Sequence, residues 1–504
     1  MLKQVMNMMN INKFNWRAKT KLLPLMLTIN FLAGCVASQQ VQRPSPSYEV
    51  ADNQKIDTKN YNVLFISVDD LNDWVGVLGG HPNASTPNID RLANRGMLFT
   101  NAHTASPVCN SSRAAVMTGL LPSTTGIYRN GVPSKPVVNK NVTISEVYKN
   151  NGFYTAGSGK LLHLFNYKKG AWDDVKKRFP DAIADKREVY SVGGEFNIHP
   201  LKNNLENETM DARTVSWVID KLQQPHDKPF FIAAGIYRPH VLWRVPQRFY
   251  AEFPEENIVI PSTIENDLDD VGSIGMAWAL QGKDQVKDDK ADSLENSAHS
   301  NIKRAGHWQL GMQAYLASIK HADTQVGRLL DALDTTGLTE KTIIVLWSDH
   351  GWHLGEKNHW RKSTLWEEST RVPLIVSVPG LTKANSRSNK AVSLIDIFPT
   401  LLELAGFDKP EKIQGESLVP LLTDPNYNRK MPAITEYYRG NVAIRDDRYR
   451  YILYANGEEE LYDHKNDPNE WHNIAKESKL AEIKGGLREW VPKNFAAEGK
   501  GNKH

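Results

Sequence analysis

The chain has 504 residues, 40% hydrophobic and 24% charged, which is enough for one large α/β domain with a smaller one and too apolar for global disorder. Its formal charge of +3 arises in the leader: residues 1–34 hold Lys3, Lys13, Arg17, Lys19 and Lys21 and no acid, so the remainder sets 56 basic against 58 acidic side chains. That balance excludes the basic surplus of a nucleic-acid-binding protein, and two cysteines exclude a disulfide scaffold or a Cys-rich zinc module.

The basic start runs into an apolar stretch at 22–33, too short for an ordinary membrane span and of the length of a signal h-region. It ends in Leu32-Ala33-Gly34-Cys35, which resembles a bacterial lipobox. The expectation is a signal peptide at 1–34 and a mature N-terminus at Cys35, whose sulfur carries lipid. A polar, flexible tether follows at 35–60. The protein is then a lipoprotein of the bacterial cell envelope, on the outer membrane facing the periplasm or the cell surface. With Cys35 so used, Cys109 is the single remaining thiol and has no partner for an internal disulfide.

Beyond the tether, 62–68 (NVLFISV) reads as a buried strand ending in Asp69 and Asp70. Residues 86–98 read as a loop into a helix, 142–149 as a helix, and 153–156 as a strand leading to Gly157-Ser158-Gly159-Lys160. A helix is expected at 209–222, a strand at 230–236 running into Arg238-Pro239-His240, and an unpatterned surface insertion at 262–305. A long amphipathic helix at 310–333 precedes a strand at 343–347 that ends in Ser348-Asp349-His350-Gly351, and a further strand lies at 374–378. Strands alternating with helices imply an α/β fold whose mostly parallel sheet is covered on both faces. After 404 the pattern changes to a small antiparallel sheet, with a hairpin at 444–452, a terminal helix near 480–490 and a frayed end at 497–504. The expected division is a catalytic domain at 61–404 and a C-terminal subdomain at 405–504.

Four of these strands end in ionisable groups: Asp69-Asp70, Lys160, His240 and Asp349-His350. Ligands of open α/β sheets bind beyond the carboxyl ends of strands, so this edge is the expected site. Cys109 sits just before an expected helix, where backbone N–H groups and the dipole favour an anion, and Arg113 lies one turn further on the same face. Spacing alone fits equally a buried, inert Cys. Asp69, Asp70 and Asp349 with a neutral His350 form a ligand set suited to a hard divalent cation, Ca²⁺ or Mg²⁺. Trp352, His353, His359 and Trp360 read either as a sugar-stacking wall or as ordinary packing.

Cys109-x-x-Ser112-Arg113 followed by Thr118-Gly119 resembles the signature of the type I sulfatases. In the same order as in that family come Val68-Asp69-Asp70-Leu71, Thr86-Pro87-Asn88-Ile89-Asp90 and Gly159-Lys160-Leu161-Leu162-His163. Arg238-Pro239-His240, Asp323-Thr324-Gln325-Val326-Gly327, Ser348-Asp349-His350-Gly351 and Glu460-Leu461-Tyr462-Asp463 continue the set. The resemblance covers roughly 60–475 and is nearest to the iduronate-2-sulfatase-like branch. It implies an alkaline-phosphatase-like fold, oxidation of Cys109 to formylglycine by a formylglycine-generating or sulfatase-maturating enzyme, and one Ca²⁺ held by Asp69, Asp70, Asp349, His350 and the residue at 109. It further implies that a hydroxyl of the hydrated aldehyde attacks sulfur while His240 protonates the leaving sugar oxygen. His163 then assists expulsion of sulfate, and Lys160 and Lys362 clamp the sulfate oxygens. The implied substrate is a sulfated polysaccharide or oligosaccharide of ulvan or glycosaminoglycan type, sulfated at O2 of a uronic acid or a similar position. The chain departs from the family at Ser111, where Pro or Ala is usual, and carries His350 where many members have Asn. A phosphoesterase of the same superfamily and a catalytically silent sulfated-glycan-binding lipoprotein are the alternatives.

Overall fold

The computed structural model describes residues 56–186, 189–280 and 294–500. The signal peptide, Cys35 and the tether up to residue 55 lie outside the described residues. Residues Ile56–His504 form one compact unit.

An eight-stranded sheet organises that unit. Its centre is β1 (Asn62–Asp69), β2 (Tyr154–Gly159), β3 (Phe230–Pro239) and β4 (Thr342–Ser348), lying side by side in the order β4-β1-β3-β2 and all parallel. The residues of β1, β3 and β4 are apolar almost without interruption because both faces are covered. Alternate residues of β1 point to different cores: Leu64, Ile66 and Val68 meet one set of helices, Val63 and Phe65 another. The first face is closed by α2 (Met210–Leu222) and α3 (Trp308–Thr335), the second by α1 (Cys109–Thr118) and the helix Ile397–Ala405. Leu374–Ser377 pairs antiparallel with β4 and with Met97–Phe99, which makes the sheet mixed, as a mostly parallel α/β fold allows.

Every residue of α1 is buried. The helix stops at Gly119, whose φ of 68° is left-handed and where a Cβ would come within 2.9 Å of Phe398. A second close approach explains the glycines beside Lys160. A Cβ on Gly159 would strike the Gly235 carbonyl oxygen at 2.1 Å, and one on Gly235 would strike the Lys160 backbone at 2.4 Å. Without side chains at both, the ends of β2 and β3 cross closely enough to aim Lys160 along the sheet edge.

The C-terminal part is a four-stranded antiparallel sheet of Ala433–Glu436, Val442–Arg445, Tyr449–Leu453 and Glu459–Asp463, in that order. Helix Ala481–Arg488 packs on it. Its apolar face shares a core with Ala105, Ala115, Leu121 and Ile395 of the larger part.

Three expectations change. The 262–305 stretch is not a featureless insertion: it carries helices Ser273–Ala279 and Ala298–Arg304, and Leu268, Trp278 and Leu280 pack with Val108, Tyr437 and Tyr454. Its order comes from tertiary partners, which periodicity does not reveal; residues 281–293 lie outside the described ones. The tail is not frayed at 497–499, because Ala496 N donates to Ser123 O at 2.7 Å and Gly499 N to Gly126 O at 3.1 Å. Trp352, His353, His359 and Trp360 form no sugar-stacking wall; all four are buried, and their rings fill the interior.

Candidate active site

The carboxyl ends of β4, β1, β3 and β2 deliver Asp349-His350, Asp69-Asp70, His240 and Lys160 to one edge, and the N-terminus of α1 brings Cys109 over it. The Cys109 sulfur is fully buried. Around it lie Lys362 Nζ at 3.2 Å, His350 Nε2 at 3.2 Å, Lys160 Nζ at 3.6 Å and Asp70 Oδ1 at 3.9 Å. Burial would raise the thiol, but Lys160, Lys362 and His350, with a hydrogen bond from His163, hold it well below its ordinary value. An anion at this position is therefore strongly favoured.

Three cations balance the three carboxylates. Lys160 donates to Asp69 Oδ2, Lys362 Nζ lies 2.8 Å from Asp70 Oδ1, and the Arg113 guanidinium bridges Asp349 Oδ2 at 2.7 Å and Asp69 Oδ1 at 3.2 Å. Arg113 also reaches Ser67 Oγ at 3.2 Å and the Lys160 carbonyl, and none of it is exposed. These bonds fix the guanidinium between Asp349 and Asp69, one turn along α1 from Cys109. Burial works to raise Asp69, yet Lys160 and Arg113 outweigh it and hold the carboxyl well below the usual range. Burial would lower His350, but Asp349 raises it to about 9.

Asp70 has φ 61°, a left-handed backbone uncommon for a residue with a Cβ. Three bonds hold it there: Asp70 N to Asp349 Oδ1 at 3.1 Å, Tyr315 OH to Asp70 O at 2.6 Å, and Leu71 N to Ser348 Oγ at 3.0 Å. The twist turns Asp70 Oδ2 inward, where it is buried with no hydrogen-bond partner. An orphaned carboxylate oxygen calls for a cation. Two overlapping sets of ligand atoms lie within 4.8 Å of one another: Asp69, Asp70, Cys109 and His240, and Asp69, Cys109, Asp349 and His350. This oxygen-rich donor set fits a hard divalent cation.

His163 and His240 are half-buried at the rim. His240 Nε2 lies 4.0 Å from Asp70 Oδ2, and its ring packs against Tyr237, which also sits under the Lys160 ammonium. Asp69, Asp70, Cys109, Arg113, Lys160, His240, Asp349, His350 and Lys362 thus converge on one place, with His163 hydrogen-bonded to the Cys109 sulfur. The supporting hydroxyls had no such signal. Thr104 Oγ1 and Ser112 Oγ meet the Asp349 carbonyl at 2.7 and 2.6 Å, and Tyr315 reaches from α3. Ser112 lies within the Cys-x-x-Ser-Arg motif, but Thr104 and Tyr315 are joined to the site only by folding.

A second acid–histidine group, Glu367, His464 and Glu470, lies apart from this one. Arg450 Nε lies 2.6 Å from Glu470 Oε1 and its Nη2 donates to Glu367, while Arg445 Nε lies 3.3 Å from Glu367 Oε2. These arginines already supply its positive charge, and it is an ion-pair network rather than a metal site.

The fold is alkaline-phosphatase-like, and its site is a charged, carboxylate-lined set of residues around Cys109. The sulfatase family model matches residues 61–407, and the model of the N-sulphoglucosamine sulphohydrolase C-terminal region matches residues 355–495. The chain belongs to the sulfatase family and is a sulfuric ester hydrolase. It is 36% identical over 461 residues to a sulfatase of Formosa agariphila, covering 86% of this chain and 87% of that one. It is 30% identical over 394 residues to human iduronate 2-sulfatase, covering 70% of each. A solved 2-O GAG sulfatase superposes with a TM-score of 0.66 at 24% identity, covering 85% of this chain and 90% of that one. Sulfatases use a metal and a formylglycine.

Proposed function

We propose that the protein hydrolyses a 2-O-sulfate ester on a uronic-acid unit of a sulfated glycan, with Cys109 converted to formylglycine and Ca²⁺ as the metal. The observation that carries the reading is the pair of ammonium groups, Lys362 at 3.2 Å and Lys160 at 3.6 Å, that meet the Cys109 sulfur beside the Asp70 carboxylate at 3.9 Å. The likeness to iduronate 2-sulfatase and to the 2-O GAG sulfatase supports the position on the sugar.

Asp69, Asp70, Asp349 and His350 would hold the cation, and when bound it supplies positive charge beside the nucleophile and the sulfate. Lys160 and Lys362 each have an ammonium near both a carboxylate and the position-109 side chain. With a cation on the carboxylates, these ammonium groups turn to the sulfate oxygens and neutralise charge as the S–O bond breaks. His240, at the rim and hydrogen-bonded through Nδ1 to the Val241 carbonyl, presents Nε2 to the leaving oxygen and gives it a proton. One hydroxyl of the hydrated aldehyde at position 109 attacks sulfur as the sugar oxygen leaves, which places the sulfate on residue 109; His163 then takes the proton of the other hydroxyl, the C–O bond to sulfate breaks and the aldehyde re-forms. The leader supports attachment to the cell envelope through lipid on Cys35, with the glycan supplied from outside.

The test is a panel of defined oligosaccharides differing only in sulfate position, given to converted, Ca²⁺-loaded enzyme. Release of sulfate from 2-O-sulfated uronates at least about tenfold faster than from 6-O- or N-sulfated units is expected. Equal rates across the panel would refute the positional assignment.

A further inference from the structure

The C-terminal tail docks on the segment 123–129 that follows α1, and its Glu498 pairs with Arg129 there. The backbone N of Asn110, next to Cys109, donates to Asn130 Oδ1 at 3.0 Å, and the Asn110 side chain donates to the carbonyls of Arg129 at 3.2 Å and Val132 at 2.7 Å. The backbone of Arg129 is thereby tied to the residue that follows Cys109 in α1. The Arg129 guanidinium lies 5.9 Å from the centre of the Tyr438 ring, and that ring stacks on Trp278 at 6.2 Å and 21°. Trp278 shares its core with Val108, which precedes Cys109. Tyr438 has φ 51°, a strained backbone for a bulky residue, and such strain gathers at functional sites.

Arg129 Nε is held at 2.5 Å by Glu498 Oε1, and the two side chains are 35% and 29% exposed. A pair so open to water adds little to stability, and a ligand displaces it readily. A planar guanidinium beside an aromatic face suits a sugar ring that bears an anionic group: the ring edge lies on the aromatic face and the anion takes the fork. Glu498 already occupies the fork with a carboxylate.

We propose that Arg129 and Tyr438 form a subsite for an anionic sugar unit adjoining the one that loses its sulfate, and that Glu498 is an internal stand-in which the substrate displaces. The neighbouring unit is acidic, carrying a carboxylate or a second sulfate. This rests on the reading of the protein as a glycan sulfatase and adds a determinant of which glycan it accepts.

The test uses converted holoenzyme with 4-nitrophenyl sulfate and with two 2-O-sulfated disaccharides, one whose second unit is anionic and one whose second unit is neutral. For the anionic disaccharide, Arg129→Ala should raise KM about tenfold or more relative to its effect on 4-nitrophenyl sulfate, as loss of a charged hydrogen bond implies. Arg129→Lys should recover part of that loss, and Glu498→Gln should lower KM for the anionic disaccharide and not for the neutral one. A carboxylate-bearing and a sulfate-bearing second unit, compared in turn, tell which anion the fork takes. If wild-type enzyme discriminates the disaccharides no better than the variants do, the subsite is refuted while the sulfatase reading stands. If wild-type enzyme releases sulfate from none of these esters, both readings fall together.

Discussion

At position 109 the chain combines complete burial with a concentration of positive charge that no inert core cysteine needs. Cys109→Ala should leave the fold intact, because a small apolar side chain suits the buried helix start, while turnover drops on the order of a thousandfold or more. Circular dichroism and kcat measured on the same preparation check this; a rate within tenfold of wild type would remove Cys109 from the chemistry. Arg113 behaves differently. It is fully buried and joins Asp69 to Asp349, so Arg113→Ala strands two carboxylates and should cost about 3–5 kcal/mol in a denaturant titration. Arg113→Lys should recover only part of that, since one ammonium does not span two carboxylates as a guanidinium does. An unchanged midpoint for the alanine variant would show that the bridge carries no stability.

Among the elements, the C-terminal sheet is tied to the body by buried charge. Arg450 links Glu470 and Glu367, and His464 Nε2 lies 2.9 Å from Glu470 Oε1. Burial opposes both carboxyls, but His464, Arg445 and Arg450 hold Glu367 well below 4.5, and Arg450 holds Glu470 below it. Carboxyls lowered on folding contribute stability above their unfolded value, and lose it as pH falls through the folded one. Wild type should therefore weaken below about pH 4.5, and Arg450→Met should be less stable at pH 7 by about 3–5 kcal/mol. Glu436 has the opposite sign. Burial lifts its carboxyl to about 7 against the hydrogen bonds of Ser123, whose Oγ lies 2.7 Å away, and its Oε2 is orphaned. Its folded form holds a proton that the unfolded chain has lost, so stability falls as pH rises from about 4.5 to 7. Glu436→Gln should then match wild type at pH 4.5 and exceed it at pH 8 by up to about 3 kcal/mol, read as the difference in denaturation free energy. A gain that is the same at both pH values would contradict the assignment. The elements themselves were legible where burial writes a pattern. The continuous apolar runs of β1, β3 and β4 and the 3.6-residue period of α3 announce themselves. The helix holding Trp278 and the docked tail do not, because each is ordered by distant side chains.

For the whole molecule, the site was legible because strand ends carry ionisable groups in sequence motifs, so topology alone gathers Asp69, Lys160, His240 and Asp349 on one edge. The charge arrangement was not. Nothing in the spacing of the motif says that the Arg113 guanidinium bridges Asp349 and Asp69. The leader leads to a separate prediction: Cys35→Ala should yield active enzyme that enters the aqueous phase in detergent partitioning, whereas continued detergent partitioning would mean a second anchor. Metal removal tests the donor set. Chelation should abolish sulfate release and Ca²⁺ should restore it better than Mg²⁺, while Asp349→Ala should lose calcium binding by calorimetry as well as activity.

The central claim is that a converted Cys109 is the nucleophile. Its most direct test is mass spectrometry of the peptide bearing residue 109, run alongside kcat on preparations made with and without a maturating enzyme. Activity should rise in proportion to the fraction of that peptide carrying an aldehyde in place of the thiol. Full activity in a preparation whose Cys109 is entirely an unmodified thiol would contradict the account.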